Sequence, residues 1–120
     1  MPEPTPDAGV LDAEDAKILT LARSARARTG ASEGASVRDL DGRTYAGATV
    51  SLPSLQVSAV GVAVAMAVSS GAGGLEAVAV VTERDGVADA DLAAVRDLAG
   101  TGVPVFRADA RGQVAERLAT

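Results

Sequence analysis

The chain of 120 residues has no cysteine, no histidine and no tryptophan, and its aromatics are Tyr45 and Phe106 alone. Each absence removes a class of function. Without cysteine there is no disulfide and no thiolate nucleophile, and with histidine also missing the usual sulfur and nitrogen ligands of a zinc centre are gone. A chain without disulfides and without a basic-then-apolar run at its N-terminus is expected in a reducing cytoplasm. Two aromatics cannot build a stacking platform for bases. Sixteen acidic against eleven basic residues, a formal charge of −5, repel phosphate backbones and anionic headgroups. Neither nucleic acid nor a membrane surface is an expected partner. Lysine is nearly absent too: Lys17 stands alone among Asp and Glu, where an ion pair is its ordinary role.

Residues 44–75 carry no charge at all. Their most apolar part, residues 57–68, would span about 18 Å as a helix against roughly 30 Å of bilayer hydrocarbon. No membrane span is expected there, and a core helix, apolar all round and sandwiched between other elements, is.

What is present is mostly Ala, Val and Leu, and 48% of the chain is apolar, enough for one core at this length. Residues 1–9, with Pro2, Pro4 and Pro6, are expected to form a disordered tail, and residues 10–120 a single domain. Asp12 is placed to cap a helix with Glu14 and Asp15 in its first turn, arginines toward its far end and Gly30 as its stop. Leu11, Ile18, Leu21, Ala22 and Ala25 share its apolar face. Strands are expected over residues 35–40 and 43–50, joined at Asp41-Gly42, a strong hairpin signal. Pro53, within residues 51–54, is expected to open a helix that runs to Ser70 and ends in Gly71, Gly73 and Gly74. Residues 75–82 are apolar on both faces, as a central parallel strand is. Asp89 is placed to cap a third helix that stops at Gly100. Residues 103–106 contain Pro104 and can be a strand only toward an edge or at a strand start. Residues 109–120 read either as a turn with a short edge strand or as one or two helical turns.

This order gives an α/β class: a three-layer α/β/α sandwich whose mixed sheet has an antiparallel N-terminal hairpin followed by parallel strands. Residues 43–82 are expected to form strand, crossover helix and adjacent parallel strand.

Gly34-Ala35-Ser36-Val37, then Asp41-Gly42-Arg43-Thr44-Tyr45-Ala46-Gly47, Thr49-Val50, a small-residue helix, and Glu76-Ala77-Val78-Ala79-Val80-Val81-Thr82 follow one another in a spacing that resembles the small zinc-dependent cytidine deaminases, over roughly residues 11–107. The resemblance implies the fold just described and a homo-oligomer, dimer or tetramer. It also locates a site, and there the pattern departs. Thr49-Val50-Ser51 stands where the family's N-V-E holds the sugar. Ser58-Ala59-Val60 stands at the family's C-A-E or H-A-E, so that Ser58 replaces a zinc ligand and Val60 the proton-shuttling glutamate. Residues 89–95, with Asp89 and Asp91, take the place of P-C-x-x-C. In this chemistry zinc supplies hydroxide at neutral pH while a carboxylate moves protons to and from the ring. A serine hydroxyl is a poor zinc ligand and valine carries no proton. The resemblance therefore implies a degenerate member, with no metal and no cofactor, whose pocket retains only Thr49, Ser51, Gln56, Ser58, Val60, Asp89 and Asp91.

Three functions remain. The first is a catalytically inactive oligomeric scaffold or regulatory domain that binds copies of itself or another protein, since Gly61, Ala63, Ala65 and Ala67 allow a close approach. The alternative is a small-molecule, nucleoside-like binding module in which Thr49, Ser51, Gln56 and Ser58 supply the polar contacts. The third is a hydrolase with altered chemistry at Asp89 or Asp91, against which stands the ordinary role of Asp at a helix N-terminus as a cap.

Overall fold

The computed structural model describes residues 11–120; the expected tail at residues 1–9 lies outside the described residues. Helix α1, Ala13–Thr29, begins as its sequence dictates: the Asp12 carboxylate accepts from the Asp15 amide at 2.8 Å, and Gly30, at φ 68°, ends the helix by donating to the Arg26 carbonyl. Its buried face is Ile18, Leu19, Ala22 and Ala25. Leu19 takes the place expected for Leu21, which is half-buried.

Strand β1, Gly34–Asp39, turns through Asp41-Gly42 into β2, Thr44–Ala48, and the two pair antiparallel. A small separate hairpin follows, β3 (Val50–Leu52) with β4 (Leu55–Val57). This corrects the expected helix start at residues 51–54. Val50, Leu52, Leu55 and Val57 alternate with Ser51 and Gln56 on either side of Pro53-Ser54, a strand period that overrides proline's preference for a helix start. Helix α2, Ala59–Ser69, begins only at Ser58, whose Oγ accepts from the Gly61 amide at 3.0 Å.

The remaining elements are β5 (Leu75–Val81), α3 (Asp89–Ala99), β6 (Pro104–Ala108) and β7 (Val114–Ala119), and the five-stranded sheet runs β2-β1-β5-β6-β7. β5 and β6 are parallel, while β1 and β7 are antiparallel to their neighbours. Strands β2 and β5 are parallel as expected but not adjacent, because β1 lies between them. The reason is burial: β1 is buried on both faces and needs cover from two layers, whereas β2 is mostly half-buried and suits an edge. Pro104 sits at the first position of β6, where its missing N–H costs no ladder bond, and β7 resolves the C-terminal alternatives in favour of an edge strand. Ala88, not Asp89, is the N-cap of α3; Asp89 is its first helical residue, and no side chain caps the helix.

The sheet separates two cores. On one face Ile18, Leu19 and Ala22 of α1 meet Ala77, Ala79, Val81, Phe106 and Ala108. On the other, Val60, Ala63, Val64 and Ala67 of α2 and Val95 of α3 pack on Ala35, Val37, Val78, Val80 and Val105. Two glycines let the helices approach: a Cβ at Gly34 would lie 2.1 Å from the Ala22 carbonyl oxygen, and one at Gly47 would lie 2.5 Å from Val62 Cγ1. Arg38 of β1 crosses to α1 and β5, donating to Asp15 and to Glu76 at 3.0 Å each. Helix α2 is not sandwiched as expected. Its outer face is bare, with Met66 41% and Val68 53% exposed, because α3 and the sheet cover only one side of it.

Candidate functional site

Residues Gly34, Ala48, Val81 and Ala108 are in register at one end of the sheet. The chain leaves β2 and β5 there to reach α2 and α3, so both helices point their N-termini at this end. Clefts in α/β sheets form where parallel strands end. Here the cleft is about 520 Å³, lined by Arg26, Ser32, Glu33, Thr49, Ser58, Thr82, Glu83 and Arg84.

Its walls are tied by short polar contacts. The Thr82 hydroxyl donates to Glu33 Oε2 at 2.7 Å and accepts from the Arg84 amide at 3.0 Å. The Thr49 amide donates to the Glu33 carbonyl at 3.1 Å, and Ser32 Oγ lies 3.3 Å from Thr49 Oγ1. Arg26 donates to the Ser32 carbonyl at 3.0 Å and reaches Glu83 at 3.7 Å. Beside the cleft the two helix N-termini meet: Ser58 Oγ donates to Asp91 Oδ1 at 2.6 Å.

Of the residues singled out from sequence, Thr49 and Ser58 line this cleft and Asp91 sits beside Ser58, 8% exposed. Val60 is 2% exposed and belongs to the core under α2. Ser51 and Gln56 face each other across the β3–β4 hairpin, both exposed, and do not line the cleft. Asp89 is exposed on the first turn of α3 and takes no part in it. Sequence reasoning missed Glu33, Thr82, Arg26 and Arg84. Thr82 carried a usable signal, being the first polar residue after a buried parallel strand. Arg26 did not, since it looked like any arginine on the outer face of α1.

The donor set does not suit zinc. Ser58 spends its proton on Asp91 and a lone pair on the Gly61 amide, and Val60 has nothing to offer a metal or a proton. Among the described residues no three Asp or Glu side chains cluster closely enough to hold a metal ion. Oxygen from one carboxylate and one engaged hydroxyl is far short of the three protein ligands that hold a catalytic zinc and leave its fourth position to water.

The architecture defines an α/β/α domain with its cleft at paired helix N-termini. Residues 11–112 match the family model described as "Cytidine deaminase-like", and the chain belongs to that family. Solved structures agree on the fold. The cytidine deaminase from Burkholderia pseudomallei superposes with a TM-score of 0.72 at 22% identity, over 87% of this chain and 89% of that one. The Mycobacterium leprae enzyme gives 0.66 at 19%, over 83% and 90%, and a mutant cytidine deaminase from Mycobacterium tuberculosis 0.66 at 23%, over 80% and 82%. No curated protein sequence matches the chain. No helix among the described residues is long and apolar enough to cross a membrane.

Proposed function

We propose that this chain, acting as one domain over residues 10–120, is a cytidine-deaminase-like protein without deaminase activity that works by associating with copies of itself or with another protein. The observation that carries this reading is the pairing of Ser58 with Asp91 above a buried Val60. Hydrolysis of an aminated ring needs an activated water and a group that carries protons, and neither is available where the family fold would use them. The bare face of α2 supports the second half. Val50, Leu55, Val57, Val62, Ala65 and Met66 line a groove of about 500 Å³ with Ser69 and Ser70, and no charge interrupts it. On a chain of net charge −5, a neutral apolar face is where a second copy can approach without like-charge repulsion. The test has two arms. Cytidine and deoxycytidine incubated with the purified chain and added zinc are expected to show no turnover above buffer, and light scattering is expected to give a dimer or tetramer. Measurable deamination overturns the first half; a monomer at high concentration overturns self-association.

A second reading rests on the cleft itself, which retains Thr49 and Ser58 and adds the Glu33 carboxylate and Arg84 guanidinium. With no aromatic side chain in its lining, such a site would hold a nucleoside-like ligand by hydrogen bonds and charge instead of stacking. Thermal-shift measurement with nucleosides and nucleotides at millimolar concentration tests it, and no rise in Tm with any of them removes it.

A further inference from the structure

The metal implied by the fold does not fit the side chains present, and the structure indicates what has taken over its mechanical part. We propose that the Ser58–Asp91 hydrogen bond is a metal-free cross-link that fastens the N-terminus of α3 to the N-terminus of α2. Such a cross-link acts on folding, whatever the chain binds.

Its geometry is specific. Ser58 is the N-cap of α2, and its Oγ serves two partners at once, accepting from the Gly61 amide at 3.0 Å and donating to Asp91 Oδ1 at 2.6 Å. Asp91 is the third residue of α3 and almost fully buried. Gly61 makes room for this: a Cβ there would lie 3.0 Å from both Ser58 Oγ and Val57 Cγ1. Helix α3 has no side-chain cap of its own, since Ala88 occupies the cap position. The contact to Ser58 is thus its side-chain anchor at that end.

Electrostatics favours an anion over a cation at this point. Two helix N-termini converge, each carrying partial positive charge on unpaired amides. A divalent cation is tolerable in such a place only when anionic ligands offset its charge. Where thiolates are lacking, the single Asp91 carboxylate, in the first turn of α3 and bonded to the N-cap of α2, places negative charge beside both helix ends without any ion.

A double-mutant cycle on the full chain tests the cross-link. Ser58→Ala and Asp91→Ala are each expected to lower Tm by about 5–10 °C, and the double variant to lie within about 2 °C of the worse single one. Shifts that add would overturn the proposal, because a Ser58 that only caps α2 has no coupling to Asp91. If the alanine variants do not fold, Ser58→Gly with Asp91→Asn carries the same cycle at smaller amplitude: glycine removes the hydroxyl yet is a tolerated N-cap, and the same non-additivity is expected. Purified wild-type protein is further expected to contain no stoichiometric metal, with Tm equal in chelator and in added zinc. A zinc-dependent rise in Tm together with stoichiometric zinc overturns it independently of the variants.

Discussion

Asp109 closes the β6–β7 turn with the same pattern of bonds by which Asp39 closes the β1–β2 turn. In each, the aspartate amide donates to the carbonyl four residues on, at 2.8 Å for Asp39 and 2.9 Å for Asp109. The amide of the glycine three residues on, Gly42 or Gly112, donates back to the aspartate carbonyl. Oδ1 collects two more amides, from Asp41 and Arg43 in the first turn and from Arg111 and Gln113 in the second. Both glycines have positive φ, 83° and 85°. The shared sequence is Asp-x-x-Gly-x, and its physics is that of an Asx turn with a glycine in a left-handed position.

These carboxylates make stability fall in acid. Burial acts to raise the Asp39 pKa, but the amides of Arg43 and Asp41 and the Tyr45 hydroxyl outweigh it and hold the group below the ordinary carboxylate value. For Asp109 the Gln113 amide is the largest influence, and the direction is again downward. A depressed folded pKa contributes stability that is present above the unfolded value of about 3.9 and is lost as pH falls through the lower folded value. Urea unfolding at a series of pH values is therefore expected to show stability dropping below about pH 4. Asp39→Asn should be less stable than wild type at pH 7 and lose less on acidification. An unchanged acid limb in that variant would show that Asp39 contributes nothing to it.

Close helix approach makes a second prediction, with its own control. Gly34→Ala would put a methyl against the Ala22 carbonyl, backbone that cannot swing away, and is expected to cost about 3 kcal/mol. Gly47→Ala meets the Val62 side chain, which can shift, and is expected to cost about 1–2 kcal/mol. Gly86→Ala meets nothing within 4 Å and has no positive φ, so its effect should stay within about 0.5 kcal/mol of zero. Urea midpoints of the three variants check the ranking.

A third concerns Arg38. Desolvation acts to lower its pKa, but the hydrogen bonds and charge attraction to Glu76 and Asp15 together outweigh it and hold the group above its ordinary value. Removing the guanidinium strands the Asp15 carboxylate between α1 and β1, while Glu76, with its side chain 44% exposed, can turn to water. Arg38→Ala is expected to cost about 2 kcal/mol, less than the 3–5 kcal/mol of a fully buried broken pair. Arg38→Met with Asp15→Leu replaces the pair by packing and should recover most of the loss in the same urea experiment.

The fold was legible in the sequence where one physical signal spoke alone. Asp12, Gly30 and the spacing of Ile18, Ala22 and Ala25 defined α1, and the apolar run at residues 77–81 placed β5 at the sheet's centre. It was misread where two signals competed. Pro53 can start a helix or sit in a turn, and the alternation of Val50, Leu52, Leu55 and Val57 with polar neighbours decided for the hairpin. The last strand could have been recognised from the repeat of Asp-x-x-Gly-x at Asp109. The cleft was legible only through the resemblance, which located Thr49, Ser58 and Asp91. Glu33 and Arg26 enter it through the packing of α1 against β1, and no local pattern announces a contact of that kind.

The last prediction separates a merely bare helix face from an interface. Val62, Ala65 and Met66 line the groove beside Leu55, and Met66 is 41% exposed. Met66→Glu leaves the core contacts of Val60, Ala63, Val64 and Ala67 untouched, so the variant's own fold should be little affected, within about 0.5 kcal/mol. Across a self-paired interface the same change sets carboxylates in an apolar contact, at a cost of several kcal/mol per assembly. Light scattering is expected to show an oligomer for the wild-type chain and a monomer for Met66→Glu, with far-ultraviolet circular dichroism unchanged. An oligomer that survives the substitution would mean that self-association uses some surface other than the bare face of α2.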